Sequence, residues 1–248
     1  MQLTDIIIMF LGIFYTVIWS SSFYFQFFLN IRVKHSDGYS LDYQLFNLIG
    51  FTYFSISNFH YLSKNNLSLD SLMDLVFSVH ALCITIVILA QTFYYPRYKN
   101  RVSYGTYVIL FITICTSAAY QFFNVQFFGG KSSDLWIYVG MSKALLSTIK
   151  YFYQIALNHD RKSTYGFSMW NVFFDIMGGS SSLAQTIIVM YVNSEQILGD
   201  KTNLPKICLS VVTIFFDFIL IYQHYFHYGE HLKKKRTPLI EEKGLIIN

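Results

Sequence analysis

The chain of 248 residues has little charge, few prolines and few cysteines. Asp, Glu, Lys and Arg make up 13% of the sequence, whereas roughly 25% is usual in soluble domains, and this argues against a water-soluble globule. The three cysteines are odd in number and lack a CxxC spacing, so we expect neither a disulfide framework nor a zinc site. A nucleotide-binding loop, a nucleophile elbow and an HExxH string are also missing, so we expect no enzyme, no cofactor and no metal site.

Hydrophobic residues make up 54% of the chain and gather in seven stretches of about 20 residues, each long enough to cross a membrane. None of them alternates apolar and polar residues as a barrel strand would. The sequence therefore predicts an all-α membrane protein with seven transmembrane helices. The predicted spans are 6–29, 41–62, 72–93, 102–128, 135–157, 169–191 and 207–226.

The Lys and Arg residues near the spans predict the orientation of the chain, because positive residues resist translocation. Loops one-two, three-four and five-six and the tail hold 12 of the 18, the alternate loops hold four, and two lie inside span five. We therefore expect a lumenal or external N-terminus and a cytosolic C-terminus. The one Asn-x-Ser/Thr triplet begins at Asn66, on the predicted lumenal side, where it could be glycosylated.

The C-terminal tail combines two short patterns. Its Lys-Lys-Lys-Arg run at 233–236 predicts contact with anionic lipid headgroups of the bilayer and not with nucleic acid. Glu241, Leu245 and Ile246 belong to a string that fits an acidic dileucine pattern of endolysosomal sorting, which would bind adaptor proteins. An unstructured charged tail is the alternative.

The sequence repeats itself at an offset of 128 residues. Residues 23–50 match residues 151–178 without a gap at eight of 28 positions, where chance would give roughly two. Because the offset covers four predicted spans, an even number, the two copies have the same orientation. Parallel repeats with a ligand site between them are a known transporter plan.

The repeat predicts two parallel bundles of three helices joined by a linker helix. Within each copy Gly38 or Gly166 allows a turn backbone that other residues resist, and Ser40 or Ser168 suits the N-cap of the next helix. The predicted divisions are 1–100 for the first bundle, 101–130 for the linker, 131–230 for the second bundle and 231–248 for the tail.

Charged residues inside the spans are the best candidates for function, because burying a charge costs about 2.5 to 3.5 kcal/mol on insertion scales. Lys143 and Lys150 are seven residues apart and share a helix face. Asn171 and Asp175 are four apart and also share a face, and Asp175 is the repeat counterpart of Asn47. These residues predict a polar site between the repeats that suits a zwitterion.

Three aspartates predict a proton path. Asp74 lies near the lumenal start of span three, and Asp217 lies deeper in span seven. We expect Asp175 to take a lumenal proton and release it to the cytosol, with Asp74 assisting at the lumenal mouth. The alternative is that Asp175 and Lys150 form a structural ion pair.

Six strings of the sequence carry a resemblance to a known family. They are SFYFQ at 22–26, NLIGF at 47–51, DLVFSVHAL at 74–82, IKYFYQIALN at 149–158, KSTYGFSMWNVFFDIMGGSSSLAQ at 162–185 and FDFILIYQH at 216–224. With them the chain resembles the PQ-loop family, and within it the cystinosins, over nearly its whole length.

The resemblance implies a proton-coupled exporter of cystine in the lysosomal or vacuolar membrane, with L-cystine and protons as its partners. It also implies a set of substrate contacts on both repeats. These are Phe23, Asn47, Lys143, Lys150, Tyr151, Asn158, Asn171 and Asp175.

The chain departs from the family at its two motifs. Gln26 and Gln154 follow Phe and Tyr, where family members have proline, so neither motif has a proline that could kink its helix. Gly178 and Gly179 are expected to supply flexibility in span six instead.

The sequence therefore predicts a proton-coupled cystine transporter that works by alternating access. A transporter of another amino acid, such as a cationic one, is the near alternative, and a sugar gives no reason to bury these charges. A non-transporting heptahelical cargo or ligand receptor belongs to another class, but the short predicted cytosolic loops leave little room for a signalling partner.

Overall fold

The structure is a computed structural model that describes residues 3–64, 69–97, 100–127, 133–192 and 204–228. All regular secondary structure within these ranges is helical, which confirms the predicted all-α protein with seven helices. The elements are α1 Leu3–Val33, α2 Leu41–Lys64, α3 Leu69–Tyr94, α4 Tyr104–Phe127, α5 Ser133–Arg161, α6 Met169–Val192, α7 Leu204–Tyr222 and a π-helix at Gln223–His227.

Length and composition make four helical segments apolar enough to cross a membrane, at 3–33, 71–94, 169–192 and 204–227. Much of the protein surface consists of large apolar side chains, among them Phe10, Phe111 and Phe218. Such a surface is suited to lipid and not to water. Cys83 and Cys115 are exposed on this surface and unpaired.

The helix ends repeat between the two halves of the chain. Lys34 and Lys162, which follow α1 and α5, both adopt positive φ values, of 54° and 48°, the left-handed conformation that commonly ends a helix. Ser40 and Ser168 accept hydrogen bonds from the N–H groups three residues later, at 3.3 and 3.4 Å, so both are N-caps as predicted.

The two repeat glycines have different roles in their turns. Gly166 has a φ of +89°, a conformation that glycine adopts without strain. The φ of Gly38 does not lie in this positive region, so the prediction of a special turn backbone is wrong at this position. Instead, a Cβ at Gly38 would lie only 2.4 Å from the carbonyl carbon of Gly166, so glycine is needed for the close approach of the two turns.

The helices pack in pairs that follow the repeat. The most extensive contacts join α1 to α6 and α2 to α5, which are equivalent pairs because α1 corresponds to α5 and α2 to α6. In the first half α3 packs on both α1 and α2, and in the second half α7 packs on both α5 and α6. Helix α4 has smaller contacts with α2 and α5. The division into two bundles and a linker stays a prediction.

Two apolar clusters each combine residues of both halves. One, near the Gly38 and Gly166 turns, includes Tyr43, Tyr151 and Phe216. The other includes Tyr15, Trp19, Phe51, Phe77 and Leu209. Phe23 packs against both clusters. The space between the clusters contains the polar residues described next.

Candidate binding cavity

A cavity lies where the two halves meet. Its volume is about 30 Å³, which at about 10 to 15 Å³ per molecule is room for two or three waters. A ligand of amino-acid size therefore fits only when the walls move apart. The cavity is lined by Trp19, Ser22, Phe23, Tyr39, Tyr43, Asn47, Phe51, Phe77, Lys143, Lys150, Asn171, Asp175, Leu209 and Thr213.

The two lysines on α5 form the cationic side of this cavity, and both are almost fully buried. Lys150 donates a hydrogen bond of 3.0 Å to the Asn47 side-chain oxygen, and its ammonium lies 4.5 Å from the Tyr43 ring centroid. The Lys143 ammonium lies 3.6 Å from the Phe51 ring centroid, with no hydrogen-bond acceptor and no carboxylate partner among the described residues. A buried ammonium without an anion is costly, so this group can bind a carboxylate.

Asp175 on α6 forms the acidic side. Its carboxylate accepts a hydrogen bond of 3.1 Å from the Tyr151 hydroxyl, and its backbone oxygen accepts one of 3.0 Å from the Trp19 indole. In the part of the chain that the structure describes, no ion pair within 4 Å joins Lys150 to Asp175. The structure therefore does not support the structural ion pair that was the alternative for this aspartate.

The structure brings six of the eight predicted substrate contacts to one cavity. Tyr151 lies behind the wall, fully buried, with its ring stacked on Phe216 at a centroid distance of 5.2 Å. Asn158 lies away from the cavity, because its amide group is bonded to two other amide side chains near the turns. The six that line the cavity are Phe23, Asn47, Lys143, Lys150, Asn171 and Asp175.

Asp217 is buried in α7, one turn after the cavity residue Thr213. One of its carboxylate oxygens has no hydrogen-bond partner within the described ranges. A buried unpaired carboxylate oxygen is costly, so Asp217 is a candidate for a functional role.

Near the Gly38 and Gly166 turns, two chains of amide side chains repeat the same geometry. In the first half Gln26 donates to Asn30 at 2.8 Å, Asn30 donates to Gln91 at 3.1 Å, and Gln91 donates to the Phe27 backbone oxygen at 3.3 Å. Gln26 and Asn30 are buried and Gln91 is half-buried, and buried amide groups need hydrogen-bond partners.

In the second half Gln154 donates to Asn158 at 3.0 Å, Asn158 to Gln223 at 3.1 Å, and Gln223 to the Ile155 backbone oxygen at 3.2 Å. The π-helix begins at Gln223. The sequence analysis missed Gln91 and Gln223, because they are 132 residues apart and a gap-free comparison at 128 does not pair them.

Gln26 and Gln154 also cross from one half to the other, and we call these contacts the Gln clamps. Gln26 donates to the Gly166 oxygen at 3.0 Å and accepts from the Ser168 N–H at 2.9 Å. Gln154 donates to the Gly38 oxygen at 3.0 Å and accepts from the Ser40 N–H at 2.9 Å. Each repeat therefore holds the turn of the other.

At the opposite end of the cavity, a charged group of residues joins the two halves. The Lys206 ammonium lies 3.0 Å from the Asp74 carboxylate and donates to the Gln185 side-chain oxygen at 2.9 Å. Gln185 donates to the Ile8 backbone oxygen at 3.1 Å, and the Tyr15 hydroxyl donates to Asp74. We call these residues the Lys206 cluster. The sequence indicated Asp74 but treated Lys206 only as a loop cation.

Several residues singled out in the sequence lie outside the described residues. They are the glycosylation candidate Asn66, the basic run at 233–236 and the sorting candidates Glu241, Leu245 and Ile246.

The chain matches the family model described as "PQ loop repeat" at residues 7–67 and 135–194, one match in each half. Among curated proteins, it is 32% identical to the cystinosin of Drosophila melanogaster, over 91% of this chain and 59% of the relative. It is also 32% identical to the cystinosin homolog of Dictyostelium discoideum, over 92% of this chain and 84% of the relative. Identity with the cystine transporter of Saccharomyces cerevisiae is 30%, over 86% of this chain and 91% of the relative.

The chain therefore spans less than two thirds of the length of the Drosophila relative and most of the length of the Dictyostelium and Saccharomyces relatives. The two family matches coincide with the halves whose turns the Gln clamps hold. Together with its apolar helices, these matches make the chain a multi-pass membrane protein that belongs to the cystinosin family of PQ-loop proteins.

Proposed function

We propose that this chain is a secondary transporter that exports L-cystine together with protons from an acidic organelle, the lysosome or vacuole, to the cytosol. The observation that carries the proposal is the cavity between the repeats, where two buried lysines and Asp175 line one space. The names of the relatives supply cystine as the substrate to test.

The chemistry of the cavity suits a substrate with both kinds of charge. Cystine carries two carboxylates and two ammonium groups. Lys143 and Lys150 can bind carboxylates, and Asp175, Asn47 and Asn171 offer oxygens to ammonium groups. A neutral sugar would leave these buried charges without partners, and a purely cationic substrate would leave the lysines unused.

The size of the cavity and the contacts at its two ends support a mechanism of alternating access. Since the cavity holds only a few waters, one end must open to admit a substrate. The Gln clamps would release toward the cytosol, and the Lys206 cluster would release toward the lumen. In this scheme the N-terminus is lumenal, the C-terminus is cytosolic, and the two triple-helix bundles move against each other around α4.

Protons would act at the aspartates. Asp175 shares the cavity with the substrate, Asp74 lies in the cluster at the lumenal end, and Asp217 is buried next to the cavity wall. Protonation of Asp175 would remove the negative charge that faces the substrate. Release of this proton to the cytosol would restore the carboxylate and reset the site.

The proposal is tested with purified protein in liposomes, by measuring uptake of radiolabelled L-cystine with and without an inward proton gradient. We expect gradient-driven uptake that Asp175→Asn abolishes. Asp42→Asn is the matched control, because Asp42 is a buried acid outside the cavity. Its two hydrogen bonds, from Ser103 and Thr106, reach one oxygen that asparagine keeps.

The same assay separates the alternatives. Competition by lysine or arginine as strong as that by cystine would favour a cationic amino acid as substrate. Saturable cystine binding without uptake would favour a cargo or ligand receptor. Unchanged gradient-driven uptake by Asp175→Asn would remove this residue from proton coupling.

A further inference from the structure

Two glycines at equivalent positions of the repeat, Gly50 and Gly178, each leave a notch that the opposite repeat fills. A Cβ at Gly178 would lie 2.5 Å from the Trp19 side chain, and a Cβ at Gly50 would lie 2.9 Å from the Lys143 side chain. Real Cβ contacts do not come closer than about 3.0 Å. The notches therefore lie at the two equivalent helix pairs that flank the cavity, α1 with α6 and α2 with α5.

The Trp19 indole has little freedom to leave its notch. Its side chain is 4% exposed, and its ring stacks on Phe77 at a centroid distance of 5.0 Å and an angle of 23°. A second ring, Tyr15, meets it edge-on at 5.8 Å. An added methyl group at Gly178 therefore has to displace the indole, because neither neighbour leaves space for a small rotation.

The indole also contacts the acidic side of the cavity. Its N–H donates to the backbone oxygen of Asp175, which lies three residues before Gly178 on the same helical turn. The neighbouring Gly179 does not share this arrangement, because a Cβ there would make ordinary contacts of 3.4 to 3.7 Å. Helix α6 continues unbroken through both glycines, so the structure gives Gly178 a packing role.

We propose that Gly178 and Trp19 are positioning residues for Asp175: the indole seated against Gly178 fixes the turn of α6 that presents Asp175 to the cavity. For transport, the proposal rests on the proposed function of the same site. Displacing the indole would remove the hydrogen bond to the Asp175 backbone and push α6 away from α1. The carboxylate would then be misplaced without any change to a residue that lines the cavity on α5 or α2.

The test compares Gly178→Ala with its neighbour Gly179→Ala in the liposome assay. We expect Gly178→Ala to raise the KM for cystine by about tenfold or more, since misplacement by about 1 Å can cost up to a hundredfold. Gly179→Ala is expected to stay within about twofold of the parent. Equal effects of the two substitutions would overturn the proposal.

A second variant tests the fit between the two residues. Trp19→Phe in the Gly178→Ala background replaces the indole by a smaller ring and makes room for the methyl group. We expect this double variant to lower the KM part of the way back toward the parent value, because α6 can approach α1 again although phenylalanine cannot donate the hydrogen bond to the Asp175 backbone oxygen. General damage to the helix would not be rescued by removing atoms from α1. A double variant no better than Gly178→Ala would contradict the proposed fit.

A spectroscopic readout keeps the test independent of transport. The chain has three tryptophans, so Trp136→Phe with Trp170→Phe leaves Trp19 as the single emitter. We expect Gly178→Ala to shift its emission to longer wavelength as the indole leaves the notch, and Gly179→Ala to leave it unchanged. An unshifted emission in Gly178→Ala would refute the fit of the Trp19 indole against Gly178, whether or not the protein transports cystine. A shift would support this fit in either case.

Discussion

The two ends of the cavity are closed by different chemistry. At the Gly38 and Gly166 turns, the Gln clamps use neutral amide and backbone groups. At the other end, the Lys206 cluster uses an ion pair with Asp74. Neutral hydrogen bonds do not depend on pH or salt, whereas an ion pair weakens when its charges are screened. Only one of the two closures can therefore respond directly to ionic strength.

The largest expected effect is at the Gln clamps. Gln154→Leu would leave the Gly38 oxygen, the Ser40 N–H and the Asn158 oxygen without their partner. Because unsatisfied buried polar groups cost about 1 to 3 kcal/mol each, we expect a loss of at least about 3 kcal/mol in the free energy of unfolding. Thermal unfolding in detergent measures it, and the loss should be the same at neutral and acidic pH.

The comparison fails if the Gln154→Leu deficit changes strongly with pH. Gln26→Leu is the matched variant in the first repeat, and it should behave alike because it loses the equivalent bonds.

The second effect is at the Lys206 cluster. Lys206→Met leaves Asp74 and the Gln185 oxygen without their cation. We expect a loss of about 2 kcal/mol at neutral pH, between the values for exposed and buried ion pairs.

Thermal unfolding in detergent at neutral pH checks this, with Lys206→Met combined with Asp74→Asn as control. The double variant should be more stable than Lys206→Met at neutral pH, because it carries no unpaired carboxylate. A double variant as unstable as Lys206→Met would show that the ion pair contributes little to this closure.

A smaller loss of stability is expected for substitutions in the two chains of amide side chains, and it should differ between them. Gln223→Leu and Gln91→Leu remove equivalent bonds, one accepted from an asparagine and one donated to a backbone oxygen. We expect about 1 to 2 kcal/mol for Gln223→Leu and less for Gln91→Leu, because Gln223 is buried and Gln91 is half-buried. Thermal unfolding of the two variants side by side tests the order, and a larger loss for Gln91→Leu would contradict the argument from burial.

The smallest effect is that of salt. Raising the ionic strength should lower the stability of the wild type relative to Lys206→Met by a few tenths of a kcal/mol, because the ion pair is partly exposed and can be screened. Gln154→Leu and the wild type should respond equally. An equal response of all three proteins would indicate that the Lys206 pair is shielded from solvent ions.

Hydropathy, periodicity and the internal repeat were enough to predict the helices and the charged and amide residues of the cavity, whereas Phe23 was indicated only by the family resemblance. The lysines and Asp175 could be found because a charge inside an apolar span is conspicuous, and six of the predicted contacts line one cavity. The helix ends were less accurate: α1 continues to Val33, four residues beyond the predicted end, because Asn30 finds an internal amide partner there.

The residues that were missed depend on tertiary contacts. Gln91 and Gln223 appear as isolated polar residues near span ends, and only the folded chain shows that each completes an amide chain. Lys206 was counted with the loops, since proximity to Asp74 cannot be read from residues 132 positions apart. Gly178 was expected to be a flexible point, whereas the structure places the Trp19 ring against it.

Helix α1 is unbroken over 31 residues, with Phe25 before Gln26 where family members have proline. At 1.5 Å per residue it is a rod of about 46 Å. If such a helix stays straight, a tilt of about 5° around its middle would move its two ends by roughly 2 Å in opposite directions. Breaking a few hydrogen bonds at one end would then displace the other end as well, because the helix tilts as one piece.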